Sequence, residues 1–203
     1  MCNLYRMTRT VDEVAHLFDV KPDRGGNASE EVYPGYPGWV VGQNHMRTMA
    51  WGFPLVLKGR SGQPLKPKPV NNTRSDKLES GFWRSSFERR RCLIPVSAFA
   101  EAEGPKGSKT RTWISIPDEP IFACAGIWRD SDEWGRVYSM VMTEASQAMA
   151  PVHDRMPVIL QRDLQEQWLV GEPPDALELC RPYGGNVEIE RTDQPWVAGR
   201  SKA

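Results

Sequence analysis

Cys2 is the residue of this sequence with the most distinctive chemical potential, because it directly follows the initiator Met1. Removal of Met1 would give Cys2 a free α-amine beside its thiol, a pair that no other natural residue carries. Ordinary pKa values of about 7.7–8.0 for the amine and about 8.5 for the thiol leave reactive fractions of both near neutral pH. The amine can condense with an aldehyde to a Schiff base, which the thiol can close to a five-membered thiazolidine. Cys2 is therefore a candidate aldehyde trap or N-terminal nucleophile, and the alternative is a small residue near a chain end.

The other cysteines do not indicate metal or disulfide chemistry. Cys92 and Cys124 lie inside apolar runs and are expected to be buried, inert thiols. No two cysteines have CxxC spacing, and the 3 histidines add no zinc-ligand pattern. We therefore expect no metal and no organic cofactor.

The composition is that of a soluble globular protein. The 203 residues suit one domain, with 39% hydrophobic and 26% charged residues. No run of about 18 apolar residues predicts a membrane-spanning helix, and the N-terminus has neither an apolar signal region nor a lipidation motif. The expectation is a cytoplasmic monomer with no membrane partner.

The charges are unevenly distributed although their sum is zero. Residues 58–77 are basic and residues 163–193 are acidic. The basic side chains of the first segment are Lys58, Arg60, Lys66, Lys68, Arg74 and Lys77. Such a segment can form a phosphate-binding face, and the alternative is a solvated surface.

The residue pattern predicts an α+β domain whose sheet is mainly antiparallel or partly closed into a barrel. Thr10 to Glu13 is a capping box ahead of apolar residues at helical spacing, which predicts a helix over about 10–18. A helix over 76–90 would turn Leu78, Phe82 and Phe87 inward. Two late helices are expected over 162–170 and 174–179.

Short runs of β-branched and apolar residues predict the strands. These runs are 40–41, 45–51, 92–95, 113–116, 121–127, 137–143 and 157–160. Residues 59–73 read as a long basic loop, a kind of segment that is often functional. The residues from about 194 read as a tail.

Several short motifs contain residue types suited to aldehyde and phosphate chemistry. They are Asn72-Thr73-Arg74, Arg90-Arg91-Cys92-Leu93-Ile94-Pro95 followed by Glu101, Phe122 to Trp128, and Thr143 followed by Val152-His153-Asp154-Arg155-Met156-Pro157. With Met1-Cys2 and in this order, they resemble the SRAP family (SOS response-associated peptidases) over about residues 1–170. Ala100 and Ala102 depart from that pattern, since the family usually has an aromatic residue and Trp there.

The resemblance implies an abasic-site processing protein. It implies one α+β domain with a barrel-like β core over 1–193, a tail over 194–203, and single-stranded DNA in a basic channel. The catalytic residues that it implies are Cys2, Asn72, Glu101 and His153. The expected product is a covalent thiazolidine between Cys2 and the abasic sugar, with possible abasic-site lyase and self-processing peptidase activities.

The chemistry of the residue types suggests a role for each catalytic position. His153 can donate a proton as the sugar ring opens, and Glu101, if desolvated, can move protons during imine formation and cyclisation. Asn72 can hold the amine, because an amide both donates and accepts hydrogen bonds. The alternatives are an exposed charge at Glu101, a loop histidine paired with Asp154, and a turn asparagine at position 72.

Five further residues are predicted to contact DNA. Arg74 and Arg155 would pair with phosphates that flank the lesion, and Thr143 could add a phosphate hydrogen bond. Trp51 and Phe53 match a tryptophan-glycine motif of the family, and they could stack on unpaired bases or pack in the core. Two other functions remain open: a cysteine peptidase or N-terminal nucleophile hydrolase, and a non-catalytic nucleic-acid reader.

Overall fold

A closed barrel of five strands forms the centre of the molecule. The computed structural model describes residues 2–23 and 26–196. The strands in these residues are β1 (Leu4–Arg6), β2 (Lys21–Pro22), β3 (Glu31–Val32), β4 (Pro37–Val41), β5 (His45–Trp51), β6 (Phe53–Leu55), β7 (Lys68–Val70), β8 (Asn72–Arg74), β9 (Arg91–Val96), β10 (Ala98–Glu103), β11 (Thr110–Ser115), β12 (Phe122–Ser131), β13 (Gly135–Glu144), β14 (Arg155–Pro157), β15 (Ile159–Leu160) and β16 (Glu188–Pro195). The helices are α1 (Val11–Phe18), α2 (Arg84–Arg89), α3 (Gln165–Val170) and α4 (Pro173–Glu178), with 3-10 turns at Ser75–Lys77 and Arg162–Leu164.

The barrel closes because β13 pairs with barrel strands on both of its edges. The order around it is β13, β12, β9, β4 and β5, and β5 returns to β13. Neighbours are antiparallel except at the closure, where β5 runs parallel to β13. Closure satisfies backbone hydrogen bonds that an open sheet would leave at its edges. The predicted α+β fold, with a mainly antiparallel, barrel-like core and peripheral helices, is confirmed.

Both faces of the barrel wall are buried. Along β9, Cys92 and Ile94 belong to a core cluster shared with the second sheet, whereas Leu93 belongs to a cluster shared with the helices. This alternation is the two-residue period of a strand. The second sheet has the order β16, β11, β10, β1, β3, and Phe87 of α2 and Trp168 of α3 cover the other side.

The N-terminal strand β1 lies inside the second sheet rather than at its edge. It pairs with β10, with Leu4 opposite Ala100, and with β3 on its other side. Continuing the first register by one residue sets Asn3 opposite Glu101. The fold therefore brings Cys2 beside the strand that carries Glu101.

Strand β8 continues the edge of β13 where β5 ends. Trp51, the last residue of β5, is opposite Tyr138, and Asn72, the first residue of β8, is opposite Met140. The chain between them forms the two-stranded hairpin β6–β7. Trp51 and Asn72 are therefore close in space although the hairpin separates them in sequence.

The loop expected over 59–73 is wrong in its second half. Residues 68–70 pair with β6 as β7, residues 72–74 form β8, and Leu65 N–H donates to the Leu57 carbonyl at 2.8 Å. Proline lacks a ladder donor, but a strand with one unpaired edge tolerates it. Pro69 accordingly lies in β7.

The helix expected over 76–90 is wrong in extent. Only Arg84–Arg89 is α-helical, and a 3-10 turn precedes it. Gly81 lies between the two, and glycine costs about 1 kcal/mol in a helix interior. Leu78 and Phe87 are buried as predicted, but Phe82 is 39% exposed. Several strands were not assigned by the sequence analysis, namely β1, β2, β3, β6, β10 and β16.

The last described strand, β16, continues to Pro195, inside the segment read as a tail. Met1 and residues 197–203 lie outside the described residues. None of the helices in residues 2–23 and 26–196 has both the length and the apolar character needed to cross a bilayer.

Candidate functional site

The Cys2 side chain is enclosed at the start of β1. The residue has no solvent exposure, and its thiol donates to the Leu4 carbonyl at 3.4 Å. Burial raises the pKa of the Cys2 thiol well above its usual range, and the nearby charge of Glu101 raises it further. The thiol is therefore protonated at neutral pH in this arrangement.

Two side-chain amides hold the Cys2 carbonyl oxygen. The Nδ2 atoms of Asn71 and Asn72 both donate to it, at 2.9 Å and 2.7 Å. The buried Asn72 Oδ1 has no hydrogen-bond partner within the described residues. This oxygen can therefore accept a hydrogen bond from another group at the site. Asn72 is the first residue of β8, which corrects the alternative that it is a turn residue.

Glu101 is a buried carboxyl group on β10. It is 4% exposed, which corrects the alternative of an exposed surface charge. Burial raises the pKa of Glu101 to about 7, because desolvation disfavours the ionised form. Its charge acts on the Cys2 thiol. A carboxyl with this pKa can accept and return a proton near neutral pH.

His153 is partly buried and uses Nδ1 as an acceptor. Arg155 N–H donates to Nδ1 at 2.9 Å, and Asp154 Oδ1 is 2.9 Å from the same nitrogen. An ion pair with Asp154 needs a protonated ring, but burial lowers the pKa of His153, and the bond from Arg155 needs a bare nitrogen. We therefore assign a neutral ring with its proton on Nε2. Asp154 and Lys109 act electrostatically on both His153 and Glu101, so these two side chains share one region.

The two arginines predicted to bind phosphate lie on β8 and β14, which pair with opposite edges of β13. Arg74 is half-exposed and donates to both oxygens of Asp76, each at 2.8 Å. The pKa of Asp76 is lowered first by this hydrogen-bonded pair with Arg74, and the charge of Arg155 lowers it further. A phosphate at Arg74 would therefore compete with the Asp76 carboxylate.

The three remaining residues predicted to contact DNA are buried. Trp51 and Phe53 have no solvent exposure, and Thr143 is 3% exposed. Trp51 Nε1 donates to the Asn71 carbonyl at 2.9 Å, Phe53 packs 5.0 Å from the ring of Trp83, and Thr143 Oγ1 donates to a backbone carbonyl at 3.2 Å. DNA contact by these residues stays a prediction, and in this arrangement all three pack in the core.

Two features of the site were not predicted. Asn71 reaches Cys2 as directly as Asn72 does, and the only signal for it was the doublet of asparagines. The hydroxyls of Tyr5 and Tyr138 are 2.5 Å apart, buried beside Trp51. Nothing in the sequence suggested that these two residues, 133 positions apart, would meet.

The other thiols agree with their expected inert character. Cys92 and Cys124 have no solvent exposure, and burial raises the pKa of both. No group of three His, Cys, Asp or Glu side chains in the part of the chain that the structure describes is arranged to hold a metal ion.

Comparison with known proteins identifies one family. A family model described as SOS response associated peptidase (SRAP) matches residues 1–194. The abasic site processing protein YoqW of Bacillus subtilis is 25% identical over 199 residues, covering 90% of this chain and 88% of YoqW. The abasic site processing protein HMCES of Xenopus tropicalis is 29% identical over 166 residues, covering 68% of this chain and 49% of HMCES.

Solved structures have the same fold. A protein from Bordetella bronchiseptica superposes with a TM-score of 0.79 at 20% identity, covering 94% of this chain and 99% of that one. A protein from Bacteroides thetaiotaomicron gives a TM-score of 0.76 at 19% identity, with 94% and 91% coverage. At these identities the likeness concerns the fold alone.

Proposed function

Because the chain belongs to the SOS response-associated peptidase (SRAP) family, we propose that it binds single-stranded DNA at an abasic site and crosslinks to it through Cys2 after Met1 is removed. The observation that carries this proposal is the set of groups around Cys2. A two-amide clamp holds its carbonyl, and a buried carboxyl with a pKa of about 7 acts on its thiol. DNA in the cytoplasm or nucleoid would be the substrate.

The covalent step begins at the amine. An abasic deoxyribose exists partly as a ring-opened aldehyde, and the Cys2 nitrogen attacks its C1′ carbon. The carbinolamine loses water to give an imine, to whose carbon the Cys2 sulfur then adds. The thiol proton passes to the imine nitrogen, so the net change is aldehyde plus amine plus thiol to thiazolidine plus one water.

Three side chains would support these proton transfers. Glu101 accepts the thiol proton and returns it to nitrogen, which a carboxyl near half-ionisation can do in both directions. The Nε2–H of the neutral His153 ring donates a hydrogen bond to the sugar ring oxygen as the ring opens, and the proton that this oxygen gains is the one that the C1′ hydroxyl loses. The Asn72 Oδ1 acceptor holds an N–H of the Cys2 amine, since its Nδ2 already holds the carbonyl of the same residue.

Arg74 and Arg155 would bind the phosphates on either side of the lesion. Arg74 exchanges the Asp76 carboxylate for a phosphate oxygen pair, since its guanidinium fork fits both. Substitution of either arginine by Ala should weaken non-covalent DNA binding and reduce its salt dependence. Trp51, Phe53 and Thr143 would act from the core by supporting β8 and β13.

Two further activities follow from the same groups. The imine makes the sugar proton next to C1′ acidic, so β-elimination would break the DNA strand and give lyase activity. Self-processing would release Met1 from Cys2. A general cysteine peptidase is the second candidate, but it needs a thiolate, and burial raises the pKa of the Cys2 thiol. That observation favours an amine-first reaction.

Intact mass spectrometry tests the proposal. The purified protein is weighed before and after incubation with a single-stranded oligonucleotide that carries one abasic site. We expect a protein without Met1 that gains the mass of the DNA minus one water. Cys180→Ala, which removes a half-buried thiol elsewhere, should form the same adduct, and Cys2→Ala should form none.

Each other result points to a different function. An adduct that survives in Cys2→Ala would falsify the thiazolidine. A protein without Met1 that binds DNA but never forms an adduct would support a non-catalytic reader, and cleavage of added peptides without DNA binding would support the peptidase.

A further inference from the structure

Asn71 is distinguished by the number of contacts that it makes at the start of the chain. Its Nδ2 donates to the Cys2 carbonyl at 2.9 Å and to Asn3 Oδ1 at 3.0 Å, so both N–H groups of its amide are in use. Its own carbonyl accepts from Trp51 Nε1 at 2.9 Å and from Met140 N–H at 3.0 Å. The residue is 9% exposed, and its position is fixed through both its backbone and its side chain.

The convergence of Asn71 and Asn72 needs an irregular backbone. Successive side chains of a regular strand point to opposite faces, yet these two reach one oxygen atom. Asn71 lies between β7 and β8, where the chain leaves its pairing with β6 and joins β13. The exchange of partners at this residue lets both amides face Cys2.

We infer that Asn71 is a positioning residue that, together with Asn72, fixes the Cys2 carbonyl and thereby lowers the basicity of the Cys2 amine. The effect of Asn71 on the reaction rests on the proposed function, whereas the contacts of Asn71 and Asn72 with the Cys2 carbonyl do not. A carbonyl oxygen has two lone pairs, and here an amide occupies each of them. Rotation of the Cys2 backbone is thereby restrained, and with it the direction of the amine.

Both amides shift the protonation of the Cys2 amine in the same direction. Each Nδ2–H places positive charge on the carbonyl next to the α-carbon, which withdraws electrons from the amine and disfavours its ammonium form. An unprotonated amine is the species that attacks an aldehyde. The clamp would therefore both aim the nucleophile and keep it reactive near neutral pH.

The test compares Asn71→Leu with Asn3→Ala in protein whose first residue is Cys2. Asn71→Leu keeps similar volume but removes the donor, whereas Asn3→Ala removes the other partner of Asn71 and leaves the clamp intact. The loss of one hydrogen bond should slow adduct formation roughly 3- to 10-fold. Asn3→Ala should stay within about 2-fold of wild type, because the hydrogen bond that it removes does not involve the Cys2 carbonyl.

Two readouts separate positioning from general damage to the fold. Titration of the Cys2 amine by nitrogen NMR should give a pKa that is higher in Asn71→Leu than in wild type by roughly 0.5–1 pH unit. This difference is a roughly 3- to 10-fold change in proton affinity, which matches the expected change in rate. The rising limb of the pH–rate profile for adduct formation should shift to higher pH by the same amount as the amine pKa. Non-covalent affinity for an oligonucleotide with a tetrahydrofuran site, which cannot open to an aldehyde, should be unchanged.

The outcomes distinguish the two proposals. An unchanged amine pKa and rate in Asn71→Leu would overturn the inference. A wild-type protein that forms no adduct, while the amine pKa still rises in the variant, would refute the proposed function and leave the clamp standing. If Asn71→Leu does not fold, Asn71→Asp decides instead, because its carboxylate cannot donate and should raise the amine pKa further.

Discussion

Glu101 makes the protein's stability depend on pH in a way that a single substitution isolates. Burial raises the pKa of this carboxyl from an ordinary 4.5 to about 7. The folded state therefore binds the Glu101 proton more tightly than the unfolded state does. The contribution of Glu101 to the free energy of unfolding is fully present below pH 4.5 and is lost as the pH rises to 7. At about 1.4 kcal/mol for each pH unit, the total loss is roughly 3 kcal/mol.

Glu101→Gln should remove this dependence while keeping the shape of the side chain. The free energy of unfolding of the variant, minus that of wild type, should increase by roughly 3 kcal/mol between pH 4 and pH 8. Urea unfolding of both proteins at each pH measures that difference. Other groups titrate equally in both proteins, so their contributions cancel. Glu178→Gln, at an exposed carboxyl of α4, is the matched control and should give a change below about 0.5 kcal/mol.

The same variant should separate stability from activity. We expect Glu101→Gln to be more stable than wild type at pH 8 and yet slower at adduct formation by roughly 100-fold, the usual scale for loss of a general acid–base group. The limb of the wild-type pH–rate profile near pH 7 should disappear. A difference in unfolding free energy that stays constant to within about 1 kcal/mol from pH 4 to pH 8 would refute the argument from burial.

Three other predictions follow from the contacts in the structure. His153→Ala should slow adduct formation at least about 10-fold while non-covalent affinity, measured by fluorescence anisotropy, changes little; equal losses of both would make His153 a DNA contact. Asp76→Ala releases Arg74 from its ion pair, so it should tighten DNA binding and steepen the salt dependence by roughly 0.7 per added phosphate contact, and a weaker complex would contradict this. Arg91→Met removes donors to carbonyls of α2 and α3, so it should lower the free energy of unfolding by roughly 2–4 kcal/mol in urea titrations, and no change would show that this network is not stabilising.

The barrel strands and the first helix could be predicted because their signals are local. Strands β5, β9, β12 and β13 contain the predicted apolar runs. The capping box is present as expected, since the Thr10 side chain accepts from Glu13 N–H and Glu13 accepts from Thr10 N–H. Each of these signals depends on residues that are neighbours in sequence.

Strand β10 shows what local patterns miss. Apart from Phe99, its sequence, Ala98-Phe99-Ala100-Glu101-Ala102-Glu103, consists of small and acidic residues of low strand propensity. It forms a strand because β1 and β11 pair with it on both sides. Pairing partners that are distant in sequence decide its conformation, and they also bury Glu101. No pattern within the segment carries that information.

The same limit applies to the site. The types of Cys2, Asn72, Glu101 and His153 suggested their chemistry, but no spacing could show that Asn71 would share the carbonyl of Cys2. That contact arises where the chain changes sheet partners between β7 and β8. The sequence left open whether Trp51 stacks on bases or packs in the core, and it contained no signal that the indole N–H would donate to the Asn71 carbonyl.

An N-terminal nucleophile poses a mechanical problem, because chain ends are ordinarily the least ordered part of a domain. Here the two residues that could anchor the terminus, Leu4 and Tyr5, are almost completely buried, and β1 has a paired strand on each side. Burial of each such side chain contributes roughly 1.5–3 kcal/mol. The anchoring energy therefore lies in residues that take no part in the chemistry, and the two amides need only fix the last rotation of Cys2. Substitutions at Leu4 should consequently reduce adduct formation by loosening the start of β1, even with all four proposed catalytic side chains in place.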